Sequence, residues 1–132
     1  MLYHGVGLEE LADDVVLTQY GNRAYPPGEP FRHQPREGKE REISLMAGRM
    51  GLDDAARTVN RHRREGAHPD DGVRYTTVGL LRAAGFRPAH TPSRLMSNHV
   101  SVSLAGEEDW TDAVGVRFDQ CFTEIIWKEE SR

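Results

Sequence analysis

The sequence predicts an α+β fold in which three to four helices pack on a small sheet, within a single domain spanning residues 1–132. The chain has 132 residues, the usual size of one domain with one hydrophobic core. Its clearest strand pattern is 99–104, where apolar and polar residues alternate. Other segments carry apolar residues at i, i+3 and i+4, which is typical of helices with one buried face. Helices packed on one face of a sheet would bury both kinds of apolar surface.

Composition and charge narrow the function classes. The formal net charge is -4 at pH 7, which argues against a chain that binds nucleic acid or a membrane surface electrostatically. Cys121 is the only cysteine, so the chain has no intramolecular disulfide and no cysteine-based zinc cluster. The N-terminal segment is acidic where a secretory signal is basic, and no apolar run approaches the roughly 18 residues of a membrane span. We therefore expect a cytoplasmic protein that needs no cofactor and no metal.

The first half of the chain is predicted to contain a helix, a long loop and a second helical region. Residues 20–42 carry four of the seven prolines, which predicts a loop rather than a helix or a central strand. Residues 43–66 predict one or two short helices, with an apolar stripe at 52–59 and Gly66 as a left-handed cap. Residues 67–72 are predicted to be a second loop. Four apolar residues at helical spacing predict the first helix: Leu8, Leu11, Ala12 and Val15.

The second half is predicted to contain two helices with extended chain between them. Residues 77–85 predict a short helix that Thr77 caps and Gly85 ends. Residues 86–92 are predicted to be extended, and 99–104 to be a strand. A wide apolar stripe predicts the last helix: Trp110, Val114, Phe118, Cys121, Phe122 and Ile125.

His99 and Ser101 form the first candidate site. Because they alternate with Val100 and Val102, both lie on the face opposite the apolar residues, about 7 Å apart along the strand. That spacing is too long for a direct hydrogen bond but short enough for both to contact one ligand group. They are therefore candidate catalytic residues, and the alternative is an ordinary solvated or hydrogen-bonded strand face.

The pattern His-x-Ser-x, with apolar residues at both x positions, resembles one motif of the two-histidine phosphoesterases. The resemblance implies that His99 acts as an acid or base and that Ser101 positions a phosphate oxygen. That family carries two such motifs, and this chain carries one.

The opening Leu2-Tyr3-His4-Gly5 resembles the start of the ADP-ribosyltransferases. This resemblance implies that His4 binds the ribose of NAD. The downstream tyrosine strand and glutamate of that family have no clear counterpart here, and a first strand or an extended lead-in to the first helix is the alternative.

Basic residues of the proline-rich loop form a further candidate. Arg32, His33 and Arg36 lie close together, and the planar guanidinium group suits phosphate or carboxylate. Phe31 would anchor the loop, although surface charge alone explains the same pattern. A second basic cluster, residues 61–64, would complement the negative end of the predicted helix before it.

Histidine spacing does not predict a metal site. The chain has six histidines, and none stand at the i, i+4 spacing of a helical ligand pair. His68 with Asp70 and Asp71 could form a weak chelate, but loops of that composition are common. We therefore predict no metal, and we include His4 and His90 as candidate ligand-binding residues that depend on which histidines share a pocket.

The order of several short motifs across residues 20–125 resembles a loose group of small, uncharacterised bacterial proteins. The resemblance implies no activity. It implies that the proline-rich loop and the central strand belong to one fold unit, which would bring Arg32 and His33 to His99 and Ser101. The motifs are F-R-x-x-P at 31–35, I-S-L at 43–45, T-V-G-L-L-R-A-A-G-F at 77–86 and H-V-S-V at 99–102, followed by the tryptophan-bearing last helix.

The sequence leaves two functions open. The first is a binding or interaction module whose loop contacts an anionic small molecule or the acidic surface of a partner protein. The second is an enzyme acting on a phosphoester or nucleotide, with His99 as acid or base, Ser101 positioning the substrate and Arg32 holding its charge. The enzyme hypothesis requires these side chains to converge on one cavity. A homodimer is a third alternative if strand 99–104 lies at a sheet edge.

Overall fold

A six-stranded antiparallel sheet organises the chain. The computed structural model describes residues 11–25, 29–35, 42–61, 63–106, 108–122 and 124–129. The strand order across the sheet is β4-β5-β2-β1-β3-β6, and every neighbouring pair is antiparallel. The strands are β1 (Val16–Asn22), β2 (Ile43–Ala47), β3 (Asp71–Thr77), β4 (Phe86–His90), β5 (His99–Leu104) and β6 (Glu124–Trp127).

Three helices accompany the sheet within the described residues: α1 (Leu52–Val59), α2 (Val78–Ala83) and α3 (Asp112–Asp119). Threonine caps two of them. The side chain of Thr77 accepts a hydrogen bond from the Leu80 N–H at the start of α2, and Thr111 does the same for α3. Such caps satisfy N–H groups that the first turn of a helix leaves without partners.

The larger core lies on the sheet face that α2 and α3 cover, called the α3 face here. Phe86 and Phe118 meet edge to face with their ring centroids 5.4 Å apart. Their burial removes a large apolar area from water. The fully or nearly fully buried members are Leu17, Ile43, Leu45, Val78, Leu81, Phe86, Val100, Val102, Val114, Phe118 and Cys121.

The smaller core lies on the opposite face, called the α1 face. There Ala55 of α1 packs with Met46, Val73 and Tyr75. The Tyr75 hydroxyl donates a hydrogen bond to the Met50 carbonyl at 2.6 Å, which satisfies a polar group at the edge of this core. Helices therefore lie on both faces of the sheet.

The mixed helix and sheet architecture predicted from the sequence is confirmed in its coarse form, as a single small domain. The finer expectation that the helices pack on one face of a small sheet is wrong. The described residues form a six-stranded sheet, and the helices lie on both of its faces. β5 is also paired with β4 on one side and β2 on the other, so it lacks the free edge that the homodimer alternative requires.

The two predictions before residue 43 need correction. The predicted first helix begins in residues that lie outside the described ones, and residues 11–15 contain a turn that leads directly into β1. The predicted loop from residue 20 is also too early, because β1 continues to Asn22. Gly21 makes this possible: a Cβ atom there would lie 2.6 Å from the Pro30 carbonyl oxygen, so only glycine lets the loop pack against the strand.

Three further boundaries differ from the sequence prediction. Ile43–Ala47 is a strand rather than part of a helix, and α1 ends at Val59, well before Gly66. The predicted last helix ends at Asp119, after which the chain turns back into β6. The sequence did not predict β3, because six of its seven residues are buried and no alternation marks it. The predicted helix at 77–85 and the strand at 99–104 are confirmed.

None of the helices formed by the described residues has both the length and the apolar composition that crossing a membrane requires.

Candidate ligand-binding cleft

A cleft of about 560 Å³ opens where β1 and β2 diverge. The two strands are paired only at Leu17 with Ala47 and at Thr18 with Met46. Beyond this point β1 continues to Asn22 along β3, while β2 follows β5. The volume lies within the range of about 300–1,000 Å³ that is usual for small-molecule sites. Its lining residues are Gln19, Tyr20, Tyr25, Arg32, Gln34, Glu42, Ile43, Ser44, Leu45, Met46, Val59, Met96, His99 and Ser101.

The His99 ring is held at both nitrogen atoms. Nε2 lies 2.9 Å from Ser44 Oγ on the adjacent strand β2. Nδ1 lies 2.8 Å from Thr91 Oγ1 and 3.2 Å from the Thr91 carbonyl oxygen. The backbone supports this position, because the Thr91 N–H donates to the His99 carbonyl at 2.9 Å. The imidazole is therefore held in place where it lines the cleft.

The Thr91 carbonyl faces Nδ1 of His99 as a hydrogen-bond acceptor, beside the Thr91 hydroxyl, which can donate or accept. A carbonyl oxygen can only accept a hydrogen bond, so an acceptor facing Nδ1 favours the tautomer that carries its proton there. In that tautomer Nε2 has a lone pair, and the Ser44 hydroxyl donates to it. In that tautomer the exposed Ser44 is paired with a basic nitrogen rather than with an N–H group.

Thr91 also joins the two residues of the predicted pair. Its Oγ1 lies 2.7 Å from Ser101 Oγ and 2.8 Å from His99 Nδ1. His99 and Ser101 therefore lie on one face, as alternation requires, but the group that they share is a threonine of the chain. Ser101 is 7% exposed, whereas Ser44 and Thr91 are both exposed, so Ser44 is the more accessible of the two serines.

Arg32 brings a positive charge to the cleft. It is exposed, and its guanidinium lies over the Tyr25 ring at 5.6 Å from the ring centroid. The loop segment 29–35 that carries it is anchored by Phe31, which is 3% exposed and packs against Trp127. Glu42 lines the same cleft, so the charged lining residues include one fixed cation and one carboxylate.

A buried arginine holds that loop in place. Arg74 is 5% exposed, and its Nε donates to Gln19 Oε1 at 2.7 Å. The amide Nε2 of Gln19 donates in turn to the Arg32 carbonyl at 2.6 Å. Burial lowers the pKa of Arg74, and Asp119, 2.8 Å from its Nη2, offsets part of that effect. The cation is further surrounded by aromatic rings, the nearest being Phe122 at 4.0 Å.

His33 does not join the cleft. Its Nδ1 lies 2.7 Å from Asp119 Oδ2, and its carbonyl accepts a hydrogen bond from the Trp110 indole at 2.7 Å. The ring lies so close to α3 that a Cβ atom at Gly115 would be 2.8 Å from its Cδ2. His33 therefore attaches the loop to α3, and the expected meeting of His33 with His99 does not occur.

The other candidate ligand-binding residues are separate from the cleft or lie outside the described residues. His90 Nε2 bonds the Ser97 carbonyl at 2.8 Å, and the pairing of His90 with Val100 directs it to the face opposite His99. His4 and Arg36 lie outside the described residues. Among the described histidines, only His99 lines the cleft.

The basic cluster after α1 contributes a buried ion pair. Arg63 pairs with Asp71, which is fully buried and also accepts hydrogen bonds from the Tyr20 hydroxyl, Asn22 Nδ2 and the His68 N–H. Burial alone raises the pKa of Asp71, but these donors outweigh it and hold the pKa below its usual range. Asp71 therefore has a structural role inside the fold. The His68 ring pairs with Glu65 rather than with Asp71.

No group of three or more histidine, cysteine or acidic residues within the described ranges could hold a metal ion.

No family model, curated protein or solved structure matches this chain. The resemblance of the motif order across residues 20–125 is therefore untested, and the geometry of the cleft carries the functional argument.

Sequence reasoning missed two members of the site, Ser44 and Thr91. Ser44 alternates with the buried Ile43 and Leu45, which is a strand pattern inside the predicted helical region. Thr91 follows β4 directly, and its position depends on the pairing of β4 with β5. The alternation around Ser44 was a usable signal of its position. The position of Thr91 depends on strand pairing, which the sequence does not show.

Proposed function

We propose that this chain binds a small carboxylic acid in the cleft between β1 and β2, with one carboxylate at Arg32. One observation carries the proposal: Arg32, the His99 imidazole and the Ser44 hydroxyl line a single cleft of about 560 Å³. A mostly apolar cavity with a few convergent polar groups is the usual form of a ligand site. Guanidinium groups bind carboxylate and phosphate through paired hydrogen bonds.

The electrostatics favour a ligand that brings a singly charged group to Arg32. Glu42 lines the same cleft as Arg32, and a nucleotide such as AMP would place a doubly charged phosphate near that carboxylate. A carboxylate brings a single charge to Arg32, and the aliphatic part of the same molecule can contact Met46, Met96 and the tyrosine rings. These lining residues supply the apolar part of the site.

Binding can be tested by titration of the isotope-labelled full chain. The probes are glutarate, inorganic phosphate and AMP, each followed by amide and histidine-ring NMR shifts. We expect glutarate to shift the signals of Arg32, Ser44 and His99 at concentrations where AMP does not. Arg32→Gln should remove at least about 1.4 kcal/mol of binding, a tenfold loss in affinity.

Arg87→Gln is the matched control. Arg87 is also an exposed arginine, but it lies on β4 outside the cleft. An equal loss of affinity in both variants would mean that general surface charge attracts the probe. Shifts confined to residues away from the cleft would contradict the proposal.

A further inference from the structure

The hydrogen bonds around His99 link a hydroxyl, a base and an orienting group in sequence. Ser44 Oγ lies 2.9 Å from Nε2, and the Thr91 carbonyl and hydroxyl hold Nδ1 on the other side of the ring. This is the order of groups that activates a serine: a nucleophile, a general base within hydrogen-bond distance, and a third group that fixes the ring.

We infer that Ser44 is an acyl-accepting nucleophile and that the cleft hydrolyses carboxylic esters whose acyl part carries an anionic group. This inference rests on the proposed function for the role of Arg32, and it goes beyond it in assigning a reaction. Three features support Ser44 over Ser101 as the nucleophile. Ser44 is exposed, it contacts Nε2 directly, and its partner nitrogen has no proton in the favoured tautomer.

The reaction balances with the groups present and water. Ser44 Oγ attacks the ester carbonyl carbon while its proton passes to His99 Nε2. The bond to the leaving oxygen then breaks, and that oxygen takes the proton from Nε2, which leaves an acyl ester on Ser44. Water adds to the acyl carbon and gives its proton to Nε2, and Ser44 Oγ leaves with that proton to release a carboxylic acid.

The position of Arg32 defines the substrate class. It is the fixed cation among the described lining residues, and it sits on a loop that Gln19 and Phe31 hold in place. A carboxylate at the far end of the acyl chain would contact Arg32 while the ester carbonyl lies at Ser44. Binding energy from that remote group would orient the ester for attack.

Covalent labelling tests the nucleophile. The full chain is treated with an alkyl fluorophosphonate, which loses fluoride to an activated serine, and the modified residue is located by peptide mass spectrometry. We expect modification at Ser44 in the native protein and none at this position in Ser44→Ala. His99→Gln should slow the labelling at least about a hundredfold, the lower range for loss of a general base.

Ser103→Ala is the matched control, because Ser103 lies on the same face of β5 but does not line the cleft. It should label at Ser44 like the unaltered chain. Absence of labelling at Ser44, or the same rate in the chain unfolded by urea, would overturn the inference. An unchanged rate in His99→Gln, with circular dichroism showing a folded protein, would overturn it as well.

Two esters test the substrate class. Release of 4-nitrophenol is compared for 4-nitrophenyl acetate and 4-nitrophenyl hydrogen adipate. We expect Arg32→Gln to lower kcat/KM at least about tenfold for the adipate ester and to change the acetate rate by less than about twofold. An equal effect on both esters would overturn the assignment of Arg32 to the anionic acyl group.

The two proposals fail separately. Glutarate binding that depends on Arg32, without labelling of Ser44, would leave the ligand site and remove the reaction. Labelling of Ser44 without binding that depends on Arg32 would leave the serine chemistry and remove the anionic ligand.

Discussion

Arg74 and Gln19 form a buried link between the sheet and the loop that carries Arg32. Arg74 Nε donates to Gln19 Oε1 at 2.7 Å, and both residues are at most 5% exposed. Because Gln19 Nε2 donates to the Arg32 carbonyl at 2.6 Å, a residue on β3 sets the position of a charge at the cleft. The link crosses β1, so it depends on the pairing of β1 with β3.

Arg74→Met should therefore destabilise the fold and also weaken ligand binding that depends on Arg32. The substitution keeps an apolar stem but leaves Gln19 Oε1 buried without its donor, which costs about 1–3 kcal/mol. Asp119 is 35% exposed and regains water when the guanidinium is removed, so it adds little to that loss. Urea unfolding at pH 7 measures the effect, and Arg87→Met should leave the midpoint unchanged. Equal midpoints for the two variants would contradict the role of Arg74.

Asp71→Asn should destabilise the chain strongly above pH 5. The neutral amide leaves Arg63 mostly buried beside a group that no longer carries charge, and removing one partner of a buried pair typically costs about 3–5 kcal/mol. Asp70→Asn is the matched control, because the neighbouring Asp70 is exposed. A similar loss in both variants would show that the loop charge, not the buried pair, stabilises the fold.

The lowered pKa of Asp71 predicts how the stability of the fold changes with pH. The folded pKa of Asp71 is lowered, because the hydrogen bonds that it accepts outweigh the effect of burial. Its stabilisation is therefore fully present above the unfolded Asp pKa of about 3.9 and is lost as the pH falls through the folded pKa. Urea unfolding at several pH values should show the difference between the unaltered chain and Asp71→Asn shrinking in acid. A difference that stays constant down to about pH 2 would contradict this assignment.

The sequence predicted the elements that short-range signals determine, namely α2 and β5. α2 was predicted from its Thr77 cap and from Gly85, and the structure shows both: the threonine accepts the Leu80 N–H, and Gly85 has φ +91°. β5 was predicted from alternation, and Val100 and Val102 are fully buried. Caps, left-handed glycines and alternation act within a few residues, so a single sequence displays them.

Long-range burial explains what the sequence did not predict. β3 lies between β1 and β6 and has both faces covered, so its polar residues Asp71 and Arg74 are buried with partners from distant segments. In the sequence these charges resemble a surface loop. The sequence does not predict these buried ion pairs, because they form only when β1 and the segment after α1 lie beside β3.

The sequence predicted only part of the candidate site, because long-range contacts decide the rest. Alternation correctly grouped His99 with Ser101, and the loop residue Arg32 lines the same cleft. His33 is one residue away from Arg32, yet it faces α3 because Asp119 and Trp110 bind it. Which loop residue reaches the cleft depends on these tertiary contacts and not on spacing.

Gly21→Ala should displace the loop from β1. The new Cβ atom would lie 2.6 Å from the Pro30 carbonyl oxygen and would overlap the Phe31 ring, so the loop must shift. Overpacking of this kind costs about 1–3 kcal/mol, and the shift should also weaken any binding that depends on Arg32. Thermal unfolding and the glutarate titration measure the two effects. Gly106→Ala is the control, because a Cβ atom there would meet no described atom within 4 Å; if it were equally destabilising, close approach of the loop would not be the cause.

Cys121 should report on unfolding through its reactivity. Burial raises the pKa of its thiol despite the nearby Arg117 and Arg74, so the reactive thiolate is scarce in the folded chain. The sulfur also lies 3.5 Å from the Arg117 carbonyl and is covered by the α3-face core. We expect Ellman's reagent to react slowly at pH 8 in buffer and rapidly in urea, with a midpoint that matches unfolding measured by tryptophan fluorescence. Rapid reaction without denaturant would show that the end of α3 opens locally while the sheet stays intact.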